Sequence, residues 1–202
     1  MKSFTRNEII VTTLIFLIVG AITGRGMVMS LLRARDSQRM SDLGAVSDAL
    51  EKFHEEYGFF PPAEDGKIKA CKGDNFDEVL QKLKVLPQFN RDMFLSGLRG
   101  CTWGIDPFEN VATDNSYMKT LPRDPQTQKG LAYVYISNGN RFQILAHLEE
   151  ESDSDIYDAK LAARAIACGS MTCNVGKAYA NTPLDTSIEE YEQSLLKNTG
   201  GK

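Results

Sequence analysis

Catalytic raw material is scarce in this chain. It carries two histidines and one tryptophan in 202 residues. It has no Gly-x-Gly-x-x-Gly run, no phosphate-binding Gly-x-x-x-x-Gly-Lys motif and no Cys-x-x-Cys pair. Ser194-x-x-Lys197 stands without any supporting motif, so it reads as chance. His54 and His147 sit beside charged or alternating residues and read as surface or edge positions rather than as bases. No constellation for nucleophilic or acid–base catalysis is present, and the expectation is a protein that is not an enzyme. A basic excess is missing too. Lys and Arg number 23 against 27 Asp and Glu, for a net charge of −4. That argues against a partner recognised through a nucleic-acid phosphate backbone.

Charge is absent altogether from residues 9–24, an apolar run of β-branched, leucine and glycine residues. At 1.5 Å per residue this is about 24 Å of helix. The hydrocarbon core of a bilayer is ~30 Å thick, and residues 27–32 extend the run if Arg25 snorkels. Glu8 stands at the mouth of the run. A carboxylate there either starts the helix, where the dipole favours an anion, or has a function. Past Arg35 the pattern becomes amphipathic. Leu43, Val46, Leu50, Phe53 and Tyr57 recur at spacings of three and four, with Asp42, Asp48, Glu51, Lys52, Glu55 and Glu56 expected on the opposite face. Gly58 and Pro61-Pro62 end the pattern. One helix therefore runs from residue 4 to residue 57, on the order of 80 Å, with Gly20, Gly24 and Gly26 as its weak points.

All four cysteines lie beyond the apolar run. An even count there implies an oxidising compartment and two disulfides. Three pairings exist. Cys168 and Cys173 are close in sequence, so the favoured set is Cys168–Cys173 with Cys71–Cys101. The alternative is buried free thiols. Residues 63–74 read as a polar loop. A short helix follows Asn75 with Phe76, Val79, Leu80 and Leu83 on one face, and another lies near residues 92–98. Trp103 reads as packing beside Cys101. Ser137-Asn138-Gly139-Asn140 is a hairpin signal between strands 131–136 and 141–148, with Phe142, Ile144, Ala146 and Leu148 on one face. Residues 157–167 read as an alanine-rich helix, and residues 188–196 as a short one. The fold class is α+β, a long N-terminal helix packed on a small antiparallel sheet.

Ser3, then Phe4-Thr5-x-x-Glu8, then the apolar run, resembles the class III signal of type IV pilins and type II secretion pseudopilins. Leu121-Pro122-Arg123-Asp124-Pro125 leading into a Tyr-x-Tyr strand, a turn and a second strand is similar to the sheet of their globular domains. Ser3 stands where Gly is usual, and Arg6-Asn7 replaces Leu-Ile. The resemblance implies a leader at 1–3, an assembly and membrane half of the helix at 4–30, an amphipathic half at 31–58, a globular pilin-like domain at 59–175 and a polar tail at 176–202. It implies cleavage after Ser3 by a prepilin peptidase and methylation of Phe4. It makes Glu8 the assembly carboxylate, paired with the N-terminal amine of a neighbour. It also implies melting of the Gly20, Gly24 and Gly26 zone on assembly. The partners would be copies of the chain and other pilins, an inner-membrane assembly platform, and the membrane itself, crossed once with the N-terminus in the cytoplasm before export to a cell-surface filament. Pseudopilins hold calcium in a loop after the hairpin. The acidic stretch at residues 149–158 makes Asp153 and Asp155, together with Asp124, the candidate Ca²⁺ ligands. The main alternative is a minor pilin or a membrane-anchored domain that binds a surface, DNA or a secreted substrate. A conventional secretory signal cut near residues 20–26 is the rival reading of the N-terminus.

Overall fold

A computed structural model describes residues 5–113, 115–150 and 156–199. The first element is a single helix, α1 (Arg6–Tyr57), 52 residues long, or about 78 Å at 1.5 Å per residue. Thr5 caps it in a reciprocal box with Glu8, its N–H donating to Glu8 Oε2 at 2.7 Å. Gly58 closes it, donating its N–H to His54 O at 2.8 Å. The first half packs on nothing within the chain, and large apolar side chains between Ile9 and Leu31 are exposed. The second half buries Leu43, Val46, Ala49, Leu50 and Phe53 in the main core of the head. Tyr57, expected on that stripe, is half-buried. Asp42, expected on the solvent face, is buried because its carboxylate accepts from Tyr133 OH at 2.6 Å and from Gln38 Nε2 at 2.7 Å.

The head follows as β1 (Ala63–Glu64), β2 (Lys67–Lys72), α2 (Phe76–Lys84), α3 (Arg91–Ser96), β3 (Leu98–Gly100), β4 (Phe108–Asn110) and β5 (Asn115–Met118). Then come a 3-10 turn (Thr127–Lys129), β6 (Val134–Ser137), β7 (Phe142–Ala146), α4 (Ala159–Ala163), β8 (Ala167–Cys168), β9 (Met171–Thr172), β10 (Val175–Ala178) and α5 (Ile188–Thr199). The architecture is α+β, with small antiparallel sheets packed on the outer half of α1.

The stretch expected as a polar loop at 63–74 is a hairpin, β1–β2, extended by β3. Lys67-Ile68-Lys69-Ala70 alternates out and in, with Ile68 and Ala70 buried. Its two-residue turn is Asp65-Gly66, both at positive φ (49° and 72°), the conformation that a tight hairpin turn demands. Asn75 makes no side-chain cap on α2.

The expected hairpin is present, with Ser137 opposite Phe142 and Tyr135 opposite Ile144. Every residue of β7 is buried. Phe142, Ile144, Ala146 and, just past the strand, Leu148 join the core under α1. Leu145 faces the other way, onto Leu161, Cys168 and Cys173. Gln143 is buried on that second side too, its amide donating to Pro183 O and Thr186 O and its carbonyl accepting from Arg164. The sheet is thus covered on both faces. Part of the expected tail belongs to this head: β10 extends the sheet along β7 from Val175 to Ala178, and Leu184 packs on its second face. α5 starts as expected at Ile188 and continues to Thr199. The alanine-rich helix is shorter than expected because Ala165 turns left-handed (φ 54°) and the chain enters the β8–β9 hairpin. That hairpin turns at Gly169 (φ 75°), where an added Cβ would come within 1.9 Å of Gly130 O. The disulfide hairpin is therefore seated directly on the chain before β6.

Candidate functional site: an apolar shaft and an ionic neck

Two features of α1 are unusual for a chain of this size. One is the uncovered apolar half, long and apolar enough to cross a membrane. None of its membrane-length window is buried, so it is not the core helix of a soluble domain. Glu8 lies at its mouth, in the capping box with Thr5. The helix is continuous through Gly20, Gly24 and Gly26, and open space surrounds all three. Ser3 and Phe4 lie outside the described residues, as do Asp153 and Asp155.

The other feature is the point where the shaft enters the head. Arg39 has no exposed surface. It falls four residues before Leu43 and so continues the apolar stripe 43, 46, 50 toward the N-terminal half of α1. A guanidinium at such a position must be neutralised and saturated with acceptors. Asp124 takes it in a two-pronged grip, Nε to Oδ2 at 2.8 Å and Nη2 to Oδ1 at 3.1 Å. Asp36, one turn back, accepts from Nη1 at 2.6 Å, and Glu149 at 2.9 Å. Glu149 is also clasped by Arg35 at 2.6 and 2.7 Å. Asp36 in turn accepts the backbone N–H groups of Glu149 and Glu150, both at 3.0 Å, and Arg33 pairs with Glu150 at 3.1 Å. Three segments far apart in sequence, the neck of α1, the Pro122–Pro125 loop and the end of β7, are thus locked by charge-assisted hydrogen bonds.

Burial by itself would lower the affinity of Arg39 for its proton. The carboxylates of Asp124 and Glu149 more than reverse this, and the guanidinium stays charged. Burial likewise pushes the Glu149 carboxyl up, but its hydrogen bonds from Arg35 and Arg39 outweigh that and hold it below its ordinary value of 4.5. Asp124 was a candidate Ca²⁺ ligand from sequence. The structure turns both of its oxygens toward Arg39, and its Oδ1 also accepts from Gln126 N at 2.7 Å. Among the described residues, no group of three or more His, Cys, Asp or Glu side chains could hold a metal ion.

The cysteines pair as favoured, Cys71–Cys101 across 30 residues and Cys168–Cys173 across five. Trp103 packs edge-on against Tyr133 and donates to Gly66 O. His54 is half-buried and stacks on Phe60 at 4.4 Å. His147, expected at the surface, is buried with Nδ1 2.7 Å from Thr172 O, because the β8–β9 hairpin covers that side of β7. The residues that the sequence reading missed are Asp36, Arg39 and Glu149. Their signal was available, since a charge in phase with the apolar stripe has to find partners. No protein-family model matches the chain, and no curated protein or solved structure is significantly similar to it.

Replacing Arg39 by Met leaves three acidic groups facing each other at the neck. The expected loss of head stability is about 3–5 kcal/mol, the usual cost of orphaning buried charge, measured by denaturant unfolding of the full chain in detergent. A loss under about 1 kcal/mol would contradict the reading of the neck. Glu149 gives a pH signature. Its folded value lies below the unfolded one, so its contribution is complete above about pH 4.5 and disappears as pH falls through the folded value. Thermal midpoints measured from pH 7 down to pH 3 should fall most steeply in the acid range, and less steeply in Glu149→Gln.

Proposed function

We propose that this chain is a structural subunit of a helical filament of the type IV pilin and type II secretion pseudopilin class, stored in the membrane through α1 before assembly. The observation that supports this most is the division of one unbroken helix into a bare apolar half and a half clamped into a disulfide-bonded head. Bare apolar surface of this extent has to be covered, at roughly 25 cal/mol per Å². Lipid covers it in storage. The same half of neighbouring copies covers it in a filament, with no new chemistry needed.

Glu8 supplies register in this reading. In the single subunit its carboxylate is engaged by the N–H of Thr5. In the filament it turns to the amine of a neighbour's processed Phe4, and a charge pair in an apolar surround fixes position more reliably than it adds stability. Processing at Ser3–Phe4 by a prepilin peptidase frees that amine, and the membrane assembly platform supplies the neighbour. The two disulfides suit a head on the oxidising side of the membrane.

Glu8→Ala should leave the head folded and disulfide-bonded while cutting the yield of sheared filaments at least tenfold. Wild-type yield from that variant would remove Glu8 from the mechanism. Gly20, Gly24 and Gly26 each cost the helix roughly 1 kcal/mol relative to Ala, so this zone unwinds when copies pack. A filament density map should show a break between residues 20 and 26, and continuous helix there would refute the melting.

A further inference from the structure

Arg25 is the one charge between Glu8 and Arg33. It has no hydrogen-bond or ion-pair partner among the described residues. A cation in an apolar run is costly unless a partner is supplied. Val11, Leu14, Ile18, Ile22 and Arg25 recur at spacings of three, four, four and three, so they share one face of α1. The four apolar members are each more than half exposed. On the outer half of the same helix, Ala34, Ser37, Ser41, Ala45 and Asp48 recur at the same spacings. All five are exposed, on the side turned away from buried Leu43, Val46 and Leu50. Asp48 too is without a partner among the described residues.

We infer that the first face docks on the second face of another copy lying parallel to it, with Arg25 paired to Asp48. The displacement between the copies is the 23-residue interval from Arg25 to Asp48, about 35 Å along the helix. The inference rests on the filament reading and names a contact within it. Large side chains then fall opposite small ones throughout: Val11 on Ala34, Leu14 on Ser37, Ile18 on Ser41 and Ile22 on Ala45. Small residues let two helix backbones approach closely, and the large ones fill the space between.

Charge selects the register. Lys52 and, beside Gly44, Lys177 are the cations near the receiving face. Asp48, Glu51, Glu55 and Glu56 outnumber them two to one, so the face attracts a cation. Glu56 is engaged by Asn110 and Tyr117. Pairing Arg25 with Glu51 would set Ile22 on Asp48. Pairing it with Glu55 would set Ile18 on Asp48 and Ile22 on Lys52. Among these acids, Asp48 alone keeps every apolar residue of the stripe off a charge.

The displacement also clears the heads. α1 is buried in its own head from Asp36 to Phe53. In the upper copy, Asp36 stands level with Phe59 of the lower one, past the end of the lower helix at Tyr57. The copies are parallel because one membrane stores them in one orientation. The contact is made by the unbroken helix, so it belongs to docking, before the glycine zone unwinds. The copy met here is not the one met by Glu8, whose partner at Phe4 implies a displacement of only about 6 Å.

The test places cysteines at two positions of the full chain, in cells that assemble it, and identifies the linked peptides by mass. All four native cysteines are in disulfides. Positions 18 and 41 lie about 35 Å apart within one helix, so a bond between them joins two copies. Ile18→Cys with Ser41→Cys should cross-link at least fivefold more than Ile18→Cys with Ser37→Cys or with Ala45→Cys, one turn to either side. Adding Asp48→Arg should reduce the link at least fivefold and Asp48→Glu should keep it, with the thermal midpoint of the head unchanged in both. Equal linking at all three positions would overturn the register. A link indifferent to Asp48→Arg would overturn the charge pair. Filaments that form without the link would overturn the contact and leave the filament reading standing. Absence of filaments from the unaltered chain would strike that reading, and the contact with it.

Discussion

A guanidinium removed from water sets the geometry of this molecule. Arg39 occupies the position on α1 where the next apolar residue of the stripe would stand, and it is satisfied only if Asp36, Asp124 and Glu149 all converge on it. Those acids come from the helix itself, from the loop before β6 and from the end of β7. Their convergence fixes the angle at which the shaft leaves the head. Hydrophobic burial by Leu43, Val46, Leu50 and Phe53 supplies most of the attraction, but apolar contacts are non-directional. The two-pronged Arg39–Asp124 contact is directional and admits one register. In the proposed filament, where the shaft has to align with those of neighbouring copies, that is the property that matters.

The head depends on the same clamp from the other side. β7 runs through its centre with both faces buried, one beneath α1 and one beneath the C-terminal segment. Asn174 ties this second cover to the neck, since its side chain exchanges hydrogen bonds with both the N–H and the carbonyl of Leu148, immediately before Glu149. The short disulfide ring at Cys168–Cys173 then holds the hairpin that shields His147. Helix, sheet and C-terminal segment thus meet at one strand end.

Much of this was legible in the residues. Glu8 marks the first turn of the helix, the stripe from Leu43 marks its buried face, and Gly58 with Pro61-Pro62 marks its end. Asn138-Gly139 marks the hairpin, and closeness in sequence selected the pairing of Cys168 with Cys173. The misses have physical causes. The Lys67–Lys72 strand was hidden because three lysines disguise a period-two alternation, although Asp65-Gly66 is as strong a turn signal as Asn138-Gly139. The edge strand at Val175–Ala178 is short, carries a glycine and a lysine, and exists only because β7 offers it a free edge. Asp42 was assigned to water because its partner, Tyr133, is 91 residues away. The ionic neck was missed for the same reason: long-range pairing leaves no local periodicity. A charge in phase with apolar neighbours was its one trace.

The filament reading makes Glu8 and the freed amine of Phe4 the two ends of one interaction, so the chemistry of the mature N-terminus decides it. The direct measurement is the mass of the N-terminal peptide of the protein taken from native membranes or sheared filaments. The account requires a chain that begins at Phe4 with a methylated amine. A chain that begins at Met1, or near Gly24, would leave Glu8 without its partner and contradict it.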